Sequence, residues 1–266
     1  MSHVLAIAGR ELRSFFVSPV AYVVLTLWAV MAGTFFMSSV VSFQLMIEQA
    51  TQFGAYDHLA EINLNDQLIA PFVGSMWVVQ LFLLPAVTMG LFASEKASGT
   101  IELLMTSPVS IWEIVVGKYL AGLGFALIMV AIVAFFPALL FFFGDPDVGK
   151  TWAALLGLAC VSGVYVAVGA FASSITRNQL IAFILTLVLL LVIGMMLPFL
   201  VDLTVAGVPG DAGSPIAAVL GWISTGSHFE EMMRGVIDTA DLAYFAVSIV
   251  GFLVLAKTAM ESARWR

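Results

Sequence analysis

Long uncharged runs alternate with short polar connectors along this chain. Phe15 to Phe43 contains no charged residue, and neither does Leu68 to Phe92. Three more such runs follow: Tyr119 to Gly144, Thr151 to Thr176 and Asn178 to Val201. A spanning helix needs about 20 mostly apolar residues, because hydrocarbon offers no partner to an open backbone. All five runs reach that length. A sixth, Leu242 to Ala256, reaches it if Lys257 extends its ammonium to the surface and the helix continues to Met260. The pattern predicts an all-α polytopic membrane protein: six transmembrane helices in a single domain over residues 1–266.

The connectors carry their own patterns. Residues 1–14 predict a short surface helix, with Val4, Leu5, Ala8 and Leu12 toward lipid and Arg10 and Arg13 near the head groups. Charges precede the first run and no small-residue site closes it, so it reads as a crossing rather than a cleaved signal. Between the second and third crossings, residues 93–112 are too polar to span and too patterned to be slack. Gly99 ends one helix. Thr100, Ile101, Leu103, Leu104 and Met105 form an amphipathic turn or two with Glu102 on the polar side, and Pro108 stops it. Ser110 and Glu113 have the spacing of a capping box. Such an element suits either docking in a groove of another protein or covering the end of the bundle.

Two other connectors are long. Gln44 to Gln67 holds Glu48, Asp57, Glu61 and Asp66, with Leu59, Ile62 and Leu64 suggesting a short amphipathic piece. Residues 202–241 contain Pro215 to Ser227, PIAAVLGWISTGS, which is apolar but too short to span. Farther on, His228, Glu230 and Glu231 form a weak metal pattern. Glu230, Glu231 and Arg234 read better as a solvated helix face with an i,i+4 pair.

Composition sharpens this picture. Hydrophobic residues make up 62% of the chain and charged residues 10%, against about 25% charged in a soluble domain. The single cysteine, Cys160, reads as a small buried hydrophobe. With a cytoplasmic N-terminus, eight of the ten basic residues lie inside or at the inner boundary, leaving Lys150 and Arg234 outside. Positive residues favour the inner side, which predicts N-in, C-in. The crossings themselves are nearly charge-free, which speaks against a proton- or sodium-driven pump and a charged ion filter. Gln80 is the most polar side chain deep in the second crossing. It faces either a groove between two copies or a neighbouring helix. Gly163, Gly169 and Ser173 predict close helix packing. Pro85, Pro137 and Pro198 are candidate kinks.

One motif points the other way. GDPDVGKT, Gly144 to Thr151, satisfies the phosphate-loop pattern. A phosphate loop follows a strand of a soluble sheet, whereas here the preceding AFFPALLFFF ends a membrane helix. Asp145 and Asp147 repel phosphate, and Pro146 lacks a backbone donor. The stretch reads as a tight acidic turn.

The connector after the second crossing resembles that of permease subunits of ABC-2 type exporters, in particular the gliding-motility permease subfamily. The matching residues are Glu95, Lys96, Gly99, Thr100, Ile101, Glu102, Leu103, Leu104, Ser107, Pro108, Glu113, Gly117 and Lys118. Ser224 to Phe245, with its His-Phe and Arg-Gly-Val-Ile-Asp, is similar to the same family, and the similarity covers nearly the whole chain. The resemblance implies a homodimer, or a heterodimer with a related permease, in the bacterial cytoplasmic membrane. Each chain would dock on a separate ATPase subunit, so this chain would carry no catalytic site and no cofactor. It implies a coupling helix carrying Glu95, Lys96, Gly99, Glu102, Leu103, Leu104 and Pro108, with Lys96 and Lys118 as candidate ion-pair partners. Glu95 has the alternative of pairing within its own chain. The resemblance also implies that the 202–241 segment re-enters the outer leaflet as short helices, an outer gate with Ser224, His228 and Arg234. Ser224, Thr225 and Ser227 would satisfy the broken backbone ends. The rival readings are a scaffold subunit without transport and an intramembrane enzyme. An enzyme needs a facing set of His, Asp, Ser or Lys that the sequence does not offer.

Overall fold

The computed structural model describes residues 2–53, 63–100, 109–206 and 215–264. Among these residues every regular element is helical. Helix α1, Ser2–Val17, is followed by α2, Pro19–Gln52. A π-helical turn, Asn65–Ile69, leads into α3, Ala70–Thr88, and α4, Gly90–Ser98, continues from it. Helices α5, Ile111–Leu140, and α6, Val148–Ile175, come next. Helix α7, Gln179–Leu191, passes through a second π turn, Val192–Met196, into α8, Leu197–Ala206. The last three are α9, Pro215–Ile223, α10, Thr225–Met233, and α11, Thr239–Arg264.

Six stretches of described chain are long and apolar enough to cross a membrane: Pro19–Gln52, Asn65–Ser98, Ile111–Leu140, Val148–Ile175, Gln179–Val201 and Thr239–Ser262. The chain is a multi-pass membrane protein. Polar caps set where several helices begin. The Ser18 side chain accepts from the Val20 amide with Pro19 in the first turn. Ser110 and Glu113 form the expected capping box. The Asn178 side chain accepts from the Leu180 amide. Each side chain takes up a backbone donor that the helix leaves open.

Helix α6 is the axis. Over its most apolar stretch 78% of residues are buried, against 22% in Gln179–Val201. Small residues bring the neighbours in. A Cβ at Gly169 would overlap the Thr88 side chain of α3. Gly163 lies under Ile249 of α11 and Tyr119 of α5, and Gly157 under Phe229 and Met232 of α10. Without a hydrophobic drive between helices in lipid, such contact area and buried polar pairs hold a bundle together. One pair answers the question about Gln80: its Nε2 donates to Ser162 Oγ at 2.6 Å, so it serves a neighbouring helix. Trp28 Nε1 likewise donates to the Met129 carbonyl at 2.8 Å.

The two π turns share a cause. Each is followed two residues later by proline, Pro71 and Pro198. Proline supplies no N–H to the residue four before it and crowds that carbonyl, so the helix widens. At Pro198 the residue four before is Gly194, whose carbonyl faces Gly226 of α10 so closely that a Cβ on Gly226 would strike it.

Three sequence expectations change. The first crossing starts at Pro19 rather than Phe15 and runs to Gln52, so much of the supposed connector after Phe43 is helix. Leu59 and Ile62, assigned to a surface piece there, lie outside the described residues. Helix α1 does not turn Leu12 to lipid: Ile7 packs on Gly117 and Leu12 on Gly124, both of α5, while Leu5 is 64% exposed. The spacing grouped Leu5 with Leu12, whereas Ile7 and Leu12 are the pair that packs on protein. The third crossing begins at Ile111 rather than Tyr119, so Lys118 is inside a helix and only 1% exposed. The bundle therefore does bury charge at one end.

Candidate functional site

The buried ammonium of Lys118 organises the end of the bundle that carries the N-terminal helix. Its Nζ donates to Glu95 Oε1 of α4 at 2.9 Å and lies 3.2 Å from Glu11 Oε1 of α1. Arg10 pairs with Glu11 at 2.8 Å and stands 3.9 Å from Glu95. The Phe92 ring lies 5.5 Å from the ammonium. A cation taken out of water demands counter-charge, and two carboxylates supply it. Three helices that meet at no backbone hydrogen bond are thereby fixed to one another.

Lys96, the next residue, turns elsewhere. Its Nζ donates to the Ser174 carbonyl near the C-terminal end of α6, where open carbonyls attract a cation. Helix α4 is thus tied on one side to α1 and α5 and on the other to α6. Its start is also tied. The helical path breaks at Met89, and the amides of Phe92 and Ala93 donate to Ser173 Oγ of α6, each at 3.0 Å. The same hydroxyl donates to the Met89 carbonyl at 2.8 Å. One serine meets the groups that the break exposes. At its far end α4 stops at Gly99, whose φ of 74° is a left-handed conformation that glycine adopts without strain.

Of the coupling residues expected from the sequence, Glu95, Lys96 and Gly99 sit together at the root of the 101–108 segment. Glu95 pairs with Lys118 in its own chain. Glu102, Leu103, Leu104 and Pro108 lie outside the described residues. Glu11 and Ser173 carry functions here that sequence reasoning did not assign. Glu11 had one visible signal, a lone acid between Arg10 and Arg13 on an otherwise apolar helix face.

The opposite end holds a second polar cluster. Ser224 separates α9 from α10, and its side chain accepts from the Ser227 amide, as expected for a break of this kind. Thr225 Oγ1 and the Tyr244 hydroxyl are 3.0 Å apart, and that hydroxyl donates to the Ile223 carbonyl at 2.7 Å. His228 is buried. Its Nδ1 is 2.6 Å from Asp241 Oδ1 and its Nε2 is 3.2 Å from the Trp222 carbonyl, while its ring stacks on Tyr244 at 4.1 Å. Asp241 is 2% exposed. Both ring nitrogens are thus engaged, so neither is turned toward a metal shared with Glu230 or Glu231. Arg234 stands apart, exposed and 3.4 Å from Glu230 in the expected i,i+4 pair. Of the three gate residues, the structure brings Ser224 and His228 together and leaves Arg234 outside. Asp241 and Tyr244 were missed. Their signal was an acid and a tyrosine one helical turn apart at the head of the last crossing. An apolar cleft of about 230 Å³, walled by Trp222, Ile223, Tyr244, Val247 and Phe252, lies beside this cluster.

The phosphate-loop pattern resolves at the same end. The Asp147 carboxylate caps α6, accepting from the Gly149 amide at 2.7 Å and the Lys150 amide at 3.2 Å. Lys150 Nζ reaches Asp66 at 3.1 Å, and Asn65 bonds both Asp147 and Thr151. A carboxylate of this chain occupies the donors a phosphate would take.

Residues 5–261 match the family model described as ABC-2 family transporter protein. No curated protein matches the chain.

Proposed function

The chain belongs to the ABC-2 family of transporter proteins, and on that premise we propose that it is the membrane-spanning permease of an ATP-driven exporter in a bacterial inner membrane. Members of this family are typically non-catalytic transport subunits that pair with an ATPase subunit. Within the family, the motifs from Glu95 to Lys118 and from Ser224 to Phe245 favour the gliding-motility permease group. The chain works N-in, C-in as a dimer with itself or with a related permease, surrounded by lipid. The segment from Glu95 to Pro108, with Lys96, Gly99, Glu102, Leu103 and Leu104, is the element that couples to the ATPase. Closure of the ATPase pushes on this segment, and the push passes to the second and third crossings. Helices α9 and α10 are a re-entrant outer gate. A substrate leaves by alternating access or lateral extrusion, and the chain breaks no bond.

The observation that carries this reading is the ion cluster around Lys118. It joins α4 and α5, the two helices that bracket the 101–108 segment, and adds α1 to them. Load applied to the segment therefore reaches three helices as one body. The depth of α10 supports the gate, because Phe229 and Met232 sit on Gly157, well inside α6. The test is purification of the chain in mild detergent from its own cells. An ATPase subunit should accompany it in equal amount and be lost with Glu102→Ala and Leu103→Asp. A chain that comes alone even after gentle crosslinking overturns the exporter and leaves a scaffold.

A further inference from the structure

Helix α1 has two faces, and the bundle uses one of them. Ile7 and Leu12 pack on α5, and Glu11 turns inward to Lys118. On the other side Ala6, Gly9, Arg10, Arg13 and Val17 recur at helical spacing and form one exposed stripe. We propose that this stripe binds the head group of an anionic phospholipid, with the Arg13 and Arg10 guanidiniums on its phosphate.

Shape and charge single out the same place. A hollow of about 360 Å³ lies in the stripe, lined by Leu5, Ala6, Gly9, Arg10 and Arg13. Ala6 and Gly9 give it a low floor, and a Cβ on Gly9 would meet nothing within 4 Å. The two arginines stand three positions apart, so they are neighbours on one helix face. Two planar guanidinium forks at that spacing can share the oxygens of one phosphate. Charge balance shows which arginine is free. Lys118 and Arg10 face Glu11 and Glu95, two cations against two carboxylates. Arg13 is left over: it is exposed and has no hydrogen bond or ion pair among the described residues. Glu11 and Glu95 do not answer it, because both turn to the buried Lys118.

Depth identifies the anion as a lipid. Helix α1 passes through Ser18 directly into the first crossing. Val17, Val20, Tyr22 and Val23 are all exposed at this junction, so the hydrocarbon begins close to Val17. Arg13 stands one turn earlier, about 6 Å along the helix. The head-group layer on each side of a bilayer is about 5–7 Å deep. Arg13 is therefore level with the phosphates. Leu5 and Val17, 64% and 85% exposed, offer apolar surface to acyl chains on either side of the hollow. An acidic patch on a soluble partner would match the arginines but not these apolar flanks. Neither the exporter reading nor the side on which the N-terminus lies enters the argument. A phosphate on Arg10 shares that guanidinium with Glu11, so the bound lipid touches the cluster around Lys118.

The experiment uses the full chain, purified in mild detergent without its ATPase. It is titrated with phosphatidylglycerol or with phosphatidylcholine of the same acyl chains, and bound lipid is counted by native mass spectrometry. The expected result is a preference for phosphatidylglycerol that Arg13→Ala lowers about fivefold. Adding Arg10→Ala should remove most of what remains, and Arg13→Lys should restore part of it. Arg13 has no partner in the chain, so Arg13→Ala should leave thermal unfolding in phosphatidylcholine unchanged, which separates lost binding from lost folding. Arg177→Ala, an exposed cation elsewhere at the same end, should leave the preference intact. Inorganic phosphate should displace no more lipid than chloride at equal ionic strength; stronger displacement would make this a site for free phosphate. Equal binding of the two lipids, or a preference that Arg13→Ala leaves intact or that Arg177→Ala lowers as much, overturns the proposal. So does an ATPase that Arg13→Ala releases while the lipid preference stays. A preference carried by Arg13 in a chain that recovers no ATPase would leave this inference standing while the exporter reading fell.

Discussion

The two ends of the bundle solve one problem by different means. At each end a helix is interrupted and the pieces must be held. Around Lys118 a buried ammonium sits between two carboxylates, with Arg10 beside them. Around His228 one ring bridges a carboxylate and a carbonyl. The first arrangement spreads its ion pairs over three helices. The second depends on a single ring aligned with both acceptors at once. The contrast teaches that the end nearest the 101–108 segment is held by a cluster of charges, while the far end is held through one ring and its hydrogen bonds.

The contrast breaks most sharply at Lys118. Lys118→Met leaves Glu11 and Glu95 with only the exposed Arg10 as cation, which should cost up to about 3 kcal/mol. Thermal unfolding in detergent reads the loss, and adding Glu11→Gln and Glu95→Gln should recover most of it. Little effect from Lys118→Met alone would mean that the cluster is not the clasp described. Ser173→Ala comes next, at about 1–3 kcal/mol for the unpaired amides it leaves. Hydrogen exchange should rise at Phe92 and Ala93 before it rises elsewhere. Asp147→Ala, which removes the cap of α6 at the opposite end, should cost about 1 kcal/mol. A much larger loss would show that charges hold both ends. Smallest is Arg234→Ala, whose exposed pair with Glu230 should be worth a few tenths of a kcal/mol. A drop above about 1 kcal/mol in the same unfolding assay would contradict the exposed position of that pair.

The crossings were legible because lipid demands length and apolarity, and both can be read residue by residue. Local caps were legible for the same kind of reason: Ser110, Glu113 and Gly99 act over three or four positions. What stayed hidden was pairing at a distance. Lys118 ends an uncharged run, so it reads as a boundary. Partners from α1 and α4 let it sit inside a helix. His228 meets Asp241 across a turn whose path no period encodes. On α1 the packed face includes Ile7 and Leu12 and leaves Leu5 exposed, because amphipathic spacing is indifferent to whether the apolar partner is lipid or another helix. The Ser18–Pro19 start of α2 was written in the sequence and overridden by the uncharged run around it.

The break at Met89 gives α4 a lever's mechanics. From Met89 to Ser98 the arm is about 14 Å long, at the helical rise per residue. A sideways displacement of about 3 Å at its tip corresponds to a rotation of roughly 12° about the joint, taking that same length. Because Ser173 belongs to α6, the fulcrum is the most buried helix of the molecule. Torque at the tip is therefore borne by the axis, and the ties through Glu95 and Lys96 pass it to the helices alongside rather than letting the arm swing.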